Sequence, residues 1–453
     1  MGNSSAQESN LSNNGKVIGL RKVTIAAGIG TFIDYYVFIL AVYASSIIWP
    51  TLFFSPLGPS GGLAASIAAF GLGYLVRPLG AFIFGHIGDK LGRMSTLVLT
   101  LVITFIGVLG IGITPSYKSI GIIALILVIA FRGFQGIGLG GEWGGASSWV
   151  MEYYNRKGKR GYWGGLMQMS IAAGIGAASL AFALAYVFSP SFTYFFQTGW
   201  RIPFYLGALI IVIGAIIRIR MTESDLFKKF RSENKLVKRP SLAAMSGRNL
   251  GLIFLGAVSW FYLTAVTPIV AGSTFIGLTE TYNLKSSATF GIPFLGFIFF
   301  VIGVGCLFGV ATTLIGGVLS DKINRKKTFI SGAILFLLLL YPYYSLVSTR
   351  VGYLILIGMI IIEAAQFIPF GAQPAWYTEL FPTKIRYSGA GLMFQWGGFL
   401  TGVAAEVLAL VIISAKTALI AFQYSIYLMA IVTVISIIAL IFMPDKTDIN
   451  LEY

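Results

Sequence analysis

The sequence holds one cysteine, Cys306, and one histidine, His86. A lone thiol excludes an intramolecular disulfide and any Cys-based metal site. A lone imidazole excludes histidine clusters, His-ligated metals and His-centred triads. Charge is scarce too: Asp, Glu, Lys and Arg make up 11% of 453 residues, against roughly 25% in soluble globular chains. That shortage excludes a soluble enzyme, a disordered scaffold and a DNA-binding domain, despite a formal net charge of +16. No cofactor, metal or nucleic-acid partner is expected. No cleavable signal peptide is expected in residues 1–22, which are Ser/Asn-rich and precede an apolar run of full span length.

What the chain has in quantity is apolar residues, 57% of the total, with 15% aromatic. About 20 residues cross ~30 Å of hydrocarbon, and the length leaves room for twelve spans. They are expected near 24–49, 63–86, 94–114, 119–148, 160–188, 202–221, 251–276, 290–319, 328–348, 351–377, 386–413 and 418–443. The fold expected is therefore an all-α integral membrane protein with the lipid bilayer as its surroundings. Of the 32 Lys and Arg residues, 25 fall in the N-terminal tail, the even-to-odd connections and the C-terminal tail. Nine of these run from Arg218 to Arg248, whereas the opposite loops hold only Lys118, Arg201, Lys285, Arg350 and Lys416. Basic loops stay inside, so both termini are expected in the cytoplasm of a multi-pass cell-membrane protein. Arg77 and Arg132 alone are left within spans.

The chain repeats itself. Gly85-His-Ile-Gly-Asp89-Lys90-Leu-Gly-Arg93 recurs 232 residues later as Gly317-Val-Leu-Ser-Asp321-Lys322-Ile-Asn-Arg325. Glu152, ahead of Arg160, recurs as Glu379 ahead of Arg386. The expected organisation is a tail (1–22), a six-helix bundle (23–221), a basic linker (222–250), a second, pseudo-symmetric six-helix bundle (251–443) and a second tail (444–453). Two copies of the Gly-Asp-Arg element at equivalent ends argue against an ordinary basic flanking turn. Gly85 and Gly317 allow close helix approach, Asp89 is expected near the start of the next helix, and Arg93 within reach of Glu152. These residues, with Asp321, Arg325, Glu379 and Arg386, are expected to gate rather than to bind substrate.

Residues 136–141 match G-x-G-x-x-G, but they lie inside an apolar span with no preceding strand, so a dinucleotide site is rejected. Glycines of this kind let helices touch. Packing does not account for Arg132 and Glu142 in the same span, since charges at membrane depth are costly and face a cavity or a partner. Asp34, Arg77, Glu363 and Glu406 are the other ionisable groups placed within spans. Asp34 and Arg132 each lie about 15–20 Å of helical rise from a span end, where they are expected to pair, whether for structure or for coupling. Arg77 precedes Pro78 and is equally suited to bracing a kink.

Taken in order, the motifs resemble the metabolite:proton symporter branch of the major facilitator superfamily. They are Tyr74-Leu-Val-Arg77-Pro78-Leu-Gly80, Arg132-x-x-Gln135-Gly136, Gly140-Gly141-Glu142-Trp143-Gly144-Gly145, Gly199-Trp200-Arg201-Ile202-Pro203-Phe204, Glu223, and Glu379-Leu-Phe-Pro382-Thr-Lys-Ile-Arg386-Tyr-Ser-Gly389. The likeness runs from about residue 20 to 443. It implies proton-coupled uptake of a small organic solute by alternating access. Departures are visible too. Thr31-Phe-Ile-Asp34-Tyr35-Tyr36 keeps the branch's Asp-aromatic-aromatic core without the usual Glu-Trp-Tyr ahead of it, and Ala404-Ala405-Glu406 stands where several members have a proline. The nine residues after Pro444 have no room for the coiled coil of osmosensing members.

The leading expectation is symport of a proton with a mono-, di- or tricarboxylate. Arg77 and Arg132 would present charge to the acid, and Gln135, Gln168, Gln366, Gln373 and Gln395 neutral hydrogen bonds. Tyr262 and Trp396 are candidates to wall the site, along with Trp260, Phe261 and Trp376, whereas Trp49 and Trp200 read as membrane-interface anchors. With no histidine at mid-membrane, a buried carboxylate must carry the proton: Asp34 beside Arg132 first, Glu142 second, Glu363 and Glu406 after them. Competing readings are a proline/betaine carrier, a sugar carrier and a membrane-embedded enzyme, which would need clustered catalytic groups that one His and one Cys do not supply. A channel would need rings of identical residues from symmetric subunits, which a two-fold-repeated single chain does not offer, and a monomer is expected.

Overall fold

The computed structural model describes residues 2–154, 157–233, 236–263, 294–349, 351–414 and 417–451. The first half of the chain builds α1 (Gly19–Leu52), α2 (Gly61–Leu91), α3 (Arg93–Ile113), α4 (Ile122–Tyr153), α5 (Arg160–Val187) and α6 (Phe192–Ile219). The second half builds α7 (Arg248–Ser259), α8 (Phe294–Ile323), α9 (Arg325–Ser348), α10 (Gly352–Glu379), α11 (Arg386–Ser414) and α12 (Ala418–Phe442). Ten of the described helices are long and apolar enough to cross a membrane. The other two are α11, 29 residues long, and α7, which leads towards 264–293. Much of the span expected at 251–276, and the start of that expected at 290–319, lie outside the described residues.

These segments become helices because apolar residues run for 20 or more positions, and a backbone in hydrocarbon must satisfy its own hydrogen bonds. Large apolar side chains such as Phe188, Leu209, Leu338 and Phe442 are exposed on the outside of the bundle. In water that would be a liability; against lipid it is the stable arrangement. Breaks fall where the backbone demands them. Pro78 lacks an N–H, and the ladder of α2 is interrupted at Val76, immediately before Arg77. Between α2 and α3 the chain turns at Gly92 with φ +128°, and between α8 and α9 at Asn324 with φ +83°. Both lie in the left-handed region, at positions one repeat apart, and Asn324 compensates by accepting a hydrogen bond from Lys327 N at 2.8 Å.

The halves meet most extensively through α5 against α8 and α2 against α11, two pairings related by the repeat. Some boundaries differ from expectation. α4 runs on to Tyr153, which puts Glu152 in its last turn, and α6 begins at Phe192 rather than at 202. Trp49 and Trp200 are not interface anchors. Both are fully buried, and Trp200 packs edge-on to Phe53 and Phe204. A residue count along a helix gives depth in the membrane but not which way the side chain faces.

Candidate functional site

Two layers of polar residues are built between the halves. The first is at the end of the bundle carrying the repeated turns. In the N-terminal half Arg93 bridges Asp89 at 3.0 Å and Glu152 at 2.9 Å, and donates to Thr383 O at 3.1 Å. In the C-terminal half Arg325 bridges Asp321 at 2.6 Å and Glu379 at 3.3 Å. The halves then exchange partners: Arg386 reaches Glu152 at 3.4 Å and Arg160 reaches Glu379 at 3.2 Å. Asp89 does not cap its own next helix, as the sequence suggests. It sits in the last turn of α2 and accepts from Tyr387 N at 3.2 Å, Ser388 N at 2.8 Å and Ser388 Oγ at 2.6 Å, at the start of α11 in the other half. Asp321 does the same for α5, accepting from Gly161 N and Tyr162 N, both at 2.8 Å. Each carboxylate therefore meets the positive end of a helix in the opposite half.

Close approach makes these bonds possible. A Cβ on Gly85 would lie 2.8 Å from Ser388 Cα, and one on Gly317 would lie 3.0 Å from Gly165 Cα. Each latch is also covered by the segment that follows its bundle. After α6, Ser224 Oγ donates to Glu152 at 3.0 Å, and Phe227 lies under the Arg93 guanidinium at 4.6 Å. After α12, Arg160 donates to Ile449 O at 2.6 Å, Arg386 to Leu451 O at 2.9 Å, and Leu451 is buried among Val150, Met151 and Met167.

The second layer is inside the bundle. Asp34 and Arg132 do not pair. Arg132 spends its fork on Gln135 Oε1 at 2.5 Å and Phe70 O at 3.1 Å, with its guanidinium over the Phe70 ring. Gly73 makes the room, since a Cβ there would come within 2.5 Å of the Arg132 Cζ. Asp34 is buried with one carboxylate oxygen unpartnered, within electrostatic reach of Glu142, Arg77 and Arg218. Arg77 makes no hydrogen bond or ion pair among the described residues, and rests over Tyr74 at 4.6 Å and Phe38 at 5.3 Å. Glu142 is not free. Arg218 grips both of its oxygens, one of them at 2.8 Å, and Thr100 donates at 2.9 Å.

Arg218 was missed by sequence reasoning, which counted it with the basic residues of the linker; it is fully buried in α6. The one signal available was an acid in α4 needing a cation. Breaking such a buried pair costs about 3–5 kcal/mol.

The amides divide into clamps and free faces. Gln135 donates to Val37 O at 3.0 Å, so it joins Arg132 to α1 instead of facing a solute. Gln366, 231 residues later, donates to Leu263 O at 2.9 Å in the equivalent place. Gln168 links the halves, accepting from Trp143 Nε1 at 3.0 Å and donating to Gln373 Oε1 at 2.9 Å. Gln395 donates to Leu139 O at 3.1 Å and leaves its own oxygen unpartnered. Beside them Trp143, Phe394 and Trp260 stack with centroids 4.0 and 4.1 Å apart. Tyr262 and Trp396 line the C-terminal half with their O–H and N–H unpartnered. Trp376 lies elsewhere, donating to Pro444 O at 3.0 Å near the latch. Glu363 is buried with no hydrogen bond or ion pair among the described residues. Glu406 falls in α11, but its side chain lies outside the described ones.

Comparison with known proteins agrees with this geometry. Residues 28–405 match the profile of the Major Facilitator Superfamily. The inner membrane metabolite transport protein YhjE of Escherichia coli K12 is 29% identical over 86% of this chain and 87% of its own length. The shikimate transporter of the same strain is 30% identical over 86% and 88%. The proline/betaine transporter of Salmonella typhimurium is 29% identical over 95% and 84%. Among solved structures, the proton:xylose symporter XylE superposes with a TM-score of 0.75 at 15% identity, covering 96% of this chain and 98% of its own, which speaks for the fold alone. With its twelve helices, its repeated latches and a profile match over most of its length, the chain belongs to the major facilitator superfamily and is a secondary transporter of that type.

Proposed function

We propose that the protein couples movement of a small organic acid to that of a proton. The observation that carries this reading is the pairing of vacancies in the N-terminal half. Among the described residues, Asp34 is a buried carboxylate with an unpartnered oxygen, and Arg77 is a buried guanidinium with no hydrogen-bond or ion-pair partner, close enough to interact electrostatically. An unpaired charge at this depth is expensive. A substrate carboxylate on Arg77 and a proton on Asp34 would each remove one such cost, so binding both together is favoured over binding either alone. Arg132, already committed to Gln135 and Phe70, supplies positive potential more than direct contact.

Glu152, Glu379 and the arginines around them gate, and the face they occupy is the cytoplasmic one by its basic residues. The division into bundles 23–221 and 251–443 about a linker at 222–250 follows from the same repeat. A monomer is the functional unit, with bilayer lipid around it.

The test is uptake by proteoliposomes carrying an inward proton gradient, with a panel of organic acids, proline, betaine and sugars as competitors. Asp34→Asn should bind and exchange substrate yet fail to concentrate it. Accumulation by that variant would place the proton elsewhere, with Glu363 next. If only neutral sugars compete, the acid reading falls. A second reading has an observation of its own: the Trp143–Phe394–Trp260 stack is a surface on which a quaternary ammonium could rest, and competition by betaine would favour it.

A further inference from the structure

Away from the central layer, a groove of about 920 Å³ opens on the side of the bundle between α1, α5 and α8. Three cations stand at its mouth: Arg21 in the first turn of α1, Lys159 ahead of α5 and Lys322 near the end of α8. All three are exposed, and none makes an ion pair or side-chain hydrogen bond among the described residues. The one carboxylate on the rim, Asp321, is already taken by Arg325 and the α5 backbone. Below this mouth the walls are apolar, with Ile25, Ile29 and Phe32 on one side and Leu166, Met169 and Ala173 on the other. From Arg21 to Phe32 is about 16 Å of helical rise, close to one leaflet of a ~30 Å hydrocarbon core.

The repeat supplies a comparison within the molecule. The equivalent place in the other half lies among α7, α11 and α2, and it too has three exposed cations: Arg248, Lys384 and Lys90. There, however, the chain packs over the α2–α11 seam. The short helix Pro240–Ala244 lies against α2 and α11, and Ser241 donates to Phe82 O at 2.7 Å and meets Ser388 at 3.2 Å. No described segment does this for the groove between α1, α5 and α8.

We propose that this groove binds an anionic phospholipid, its phosphate on Arg21, Lys159 and Lys322 and an acyl chain along the apolar trough. A free phosphate would satisfy the cations but leave a leaflet-deep apolar wall uncovered. A lipid satisfies both. Because α1 and α5 belong to one half and α8 to the other, such a lipid ties the halves together beside the Asp321 latch. This rests on the membrane placement of the chain, not on which solute it carries.

The test is native mass spectrometry of the full-length protein with phosphatidylglycerol and phosphatidylcholine of matched chains. The parent should retain phosphatidylglycerol at least about tenfold better, as expected for several basic side chains acting on one anionic headgroup. Arg21→Gln/Lys159→Gln/Lys322→Gln should lose that preference, and Arg248→Gln/Lys384→Gln/Lys90→Gln should keep it. Ile29→Trp, which narrows the trough without touching charge, should weaken retention of phosphatidylglycerol as well. The proposal is overturned if the parent shows no preference, if the two triple variants behave alike, or if inorganic phosphate alone strips the adduct. It is equally overturned if the preference emerges only after residues 2–18 are deleted, for then that segment is the occupant.

Discussion

The two halves of this transporter agree at one end and differ in the middle. At the latch they match position for position: Asp89 with Asp321, Arg93 with Arg325, Glu152 with Glu379, each followed by a segment that covers it. Inside, the same register carries Arg132 in α4 and Glu363 in α10, 231 residues apart, while Gln135 and Gln366 each donate to a backbone carbonyl near the start of their own half, Val37 O and Leu263 O. A surface that must close against its own repeat is held to one solution twice over. The interior has no such constraint, and there Asp34, Arg77, Arg132 and the Glu142–Arg218 pair are buried in the N-terminal half.

The largest effect expected is from filling the close contacts. Gly85→Leu and Gly317→Leu should each cut transport by about two orders of magnitude, the upper range for overpacking a tight contact. Initial-rate uptake measures this, and a loss in only one of the two would break the equivalence of the latches. Next come Glu152→Gln and Glu379→Gln, each stripping a carboxylate from between two guanidinia. The latched state should lose about 3–5 kcal/mol, read as a shift of spin-label distances across that end towards the open form. Unequal shifts would mean that the linker and the tail do not brace their latches alike.

The interior sharpens the contrast. Arg132→Lys keeps the charge but cannot hold Gln135 and Phe70 O together, so substrate affinity should fall about tenfold. Glu363→Gln should leave affinity within about threefold, less than the loss of one neutral hydrogen bond of ~1 kcal/mol, because Glu363 has no hydrogen bond or ion pair among the described residues to lose. Equal losses would show that the halves share the solute after all. Gln135→Leu removes both the bond to Val37 O and the acceptor of the buried Arg132 guanidinium, a loss of about 1.5–3 kcal/mol. The smallest effect is expected from Gln366→Leu, which loses its bond to Leu263 O at about 1 kcal/mol, both visible in thermal melting.

Much of this was legible in the sequence, for reasons that differ residue by residue. The latch residues could be read because two copies of a nine-residue pattern fix both identity and position. Arg218 could not, because a basic residue near a span end looks the same whether it faces water or an acid 76 residues earlier. Asp34 and Arg132 were correctly placed in buried membrane helices, yet the expected pair is absent, since rise per residue says nothing of rotation about two separate axes. The covering role of the segments at 223–227 and 449–451 could not be read, although Glu223 stood out as a motif residue, because they are short and their bonds go mostly to residues more than 60 positions away.

The Glu142–Arg218 pair also bears on how the chain is made. Glu142 enters the membrane 76 residues before its cation does, and at ordinary rates of synthesis that interval is roughly 4–15 s. For that time α4 carries an acid with no partner in hydrocarbon, where a lone carboxylate is tolerated only if neutral, hydrated or sheltered. Thr100 in α3 is already synthesised and offers one hydrogen bond. Assembly of the first bundle is therefore ordered by charge: α4 is provisionally housed, and the arrival of α6 brings the Arg218 guanidinium that grips both oxygens of Glu142.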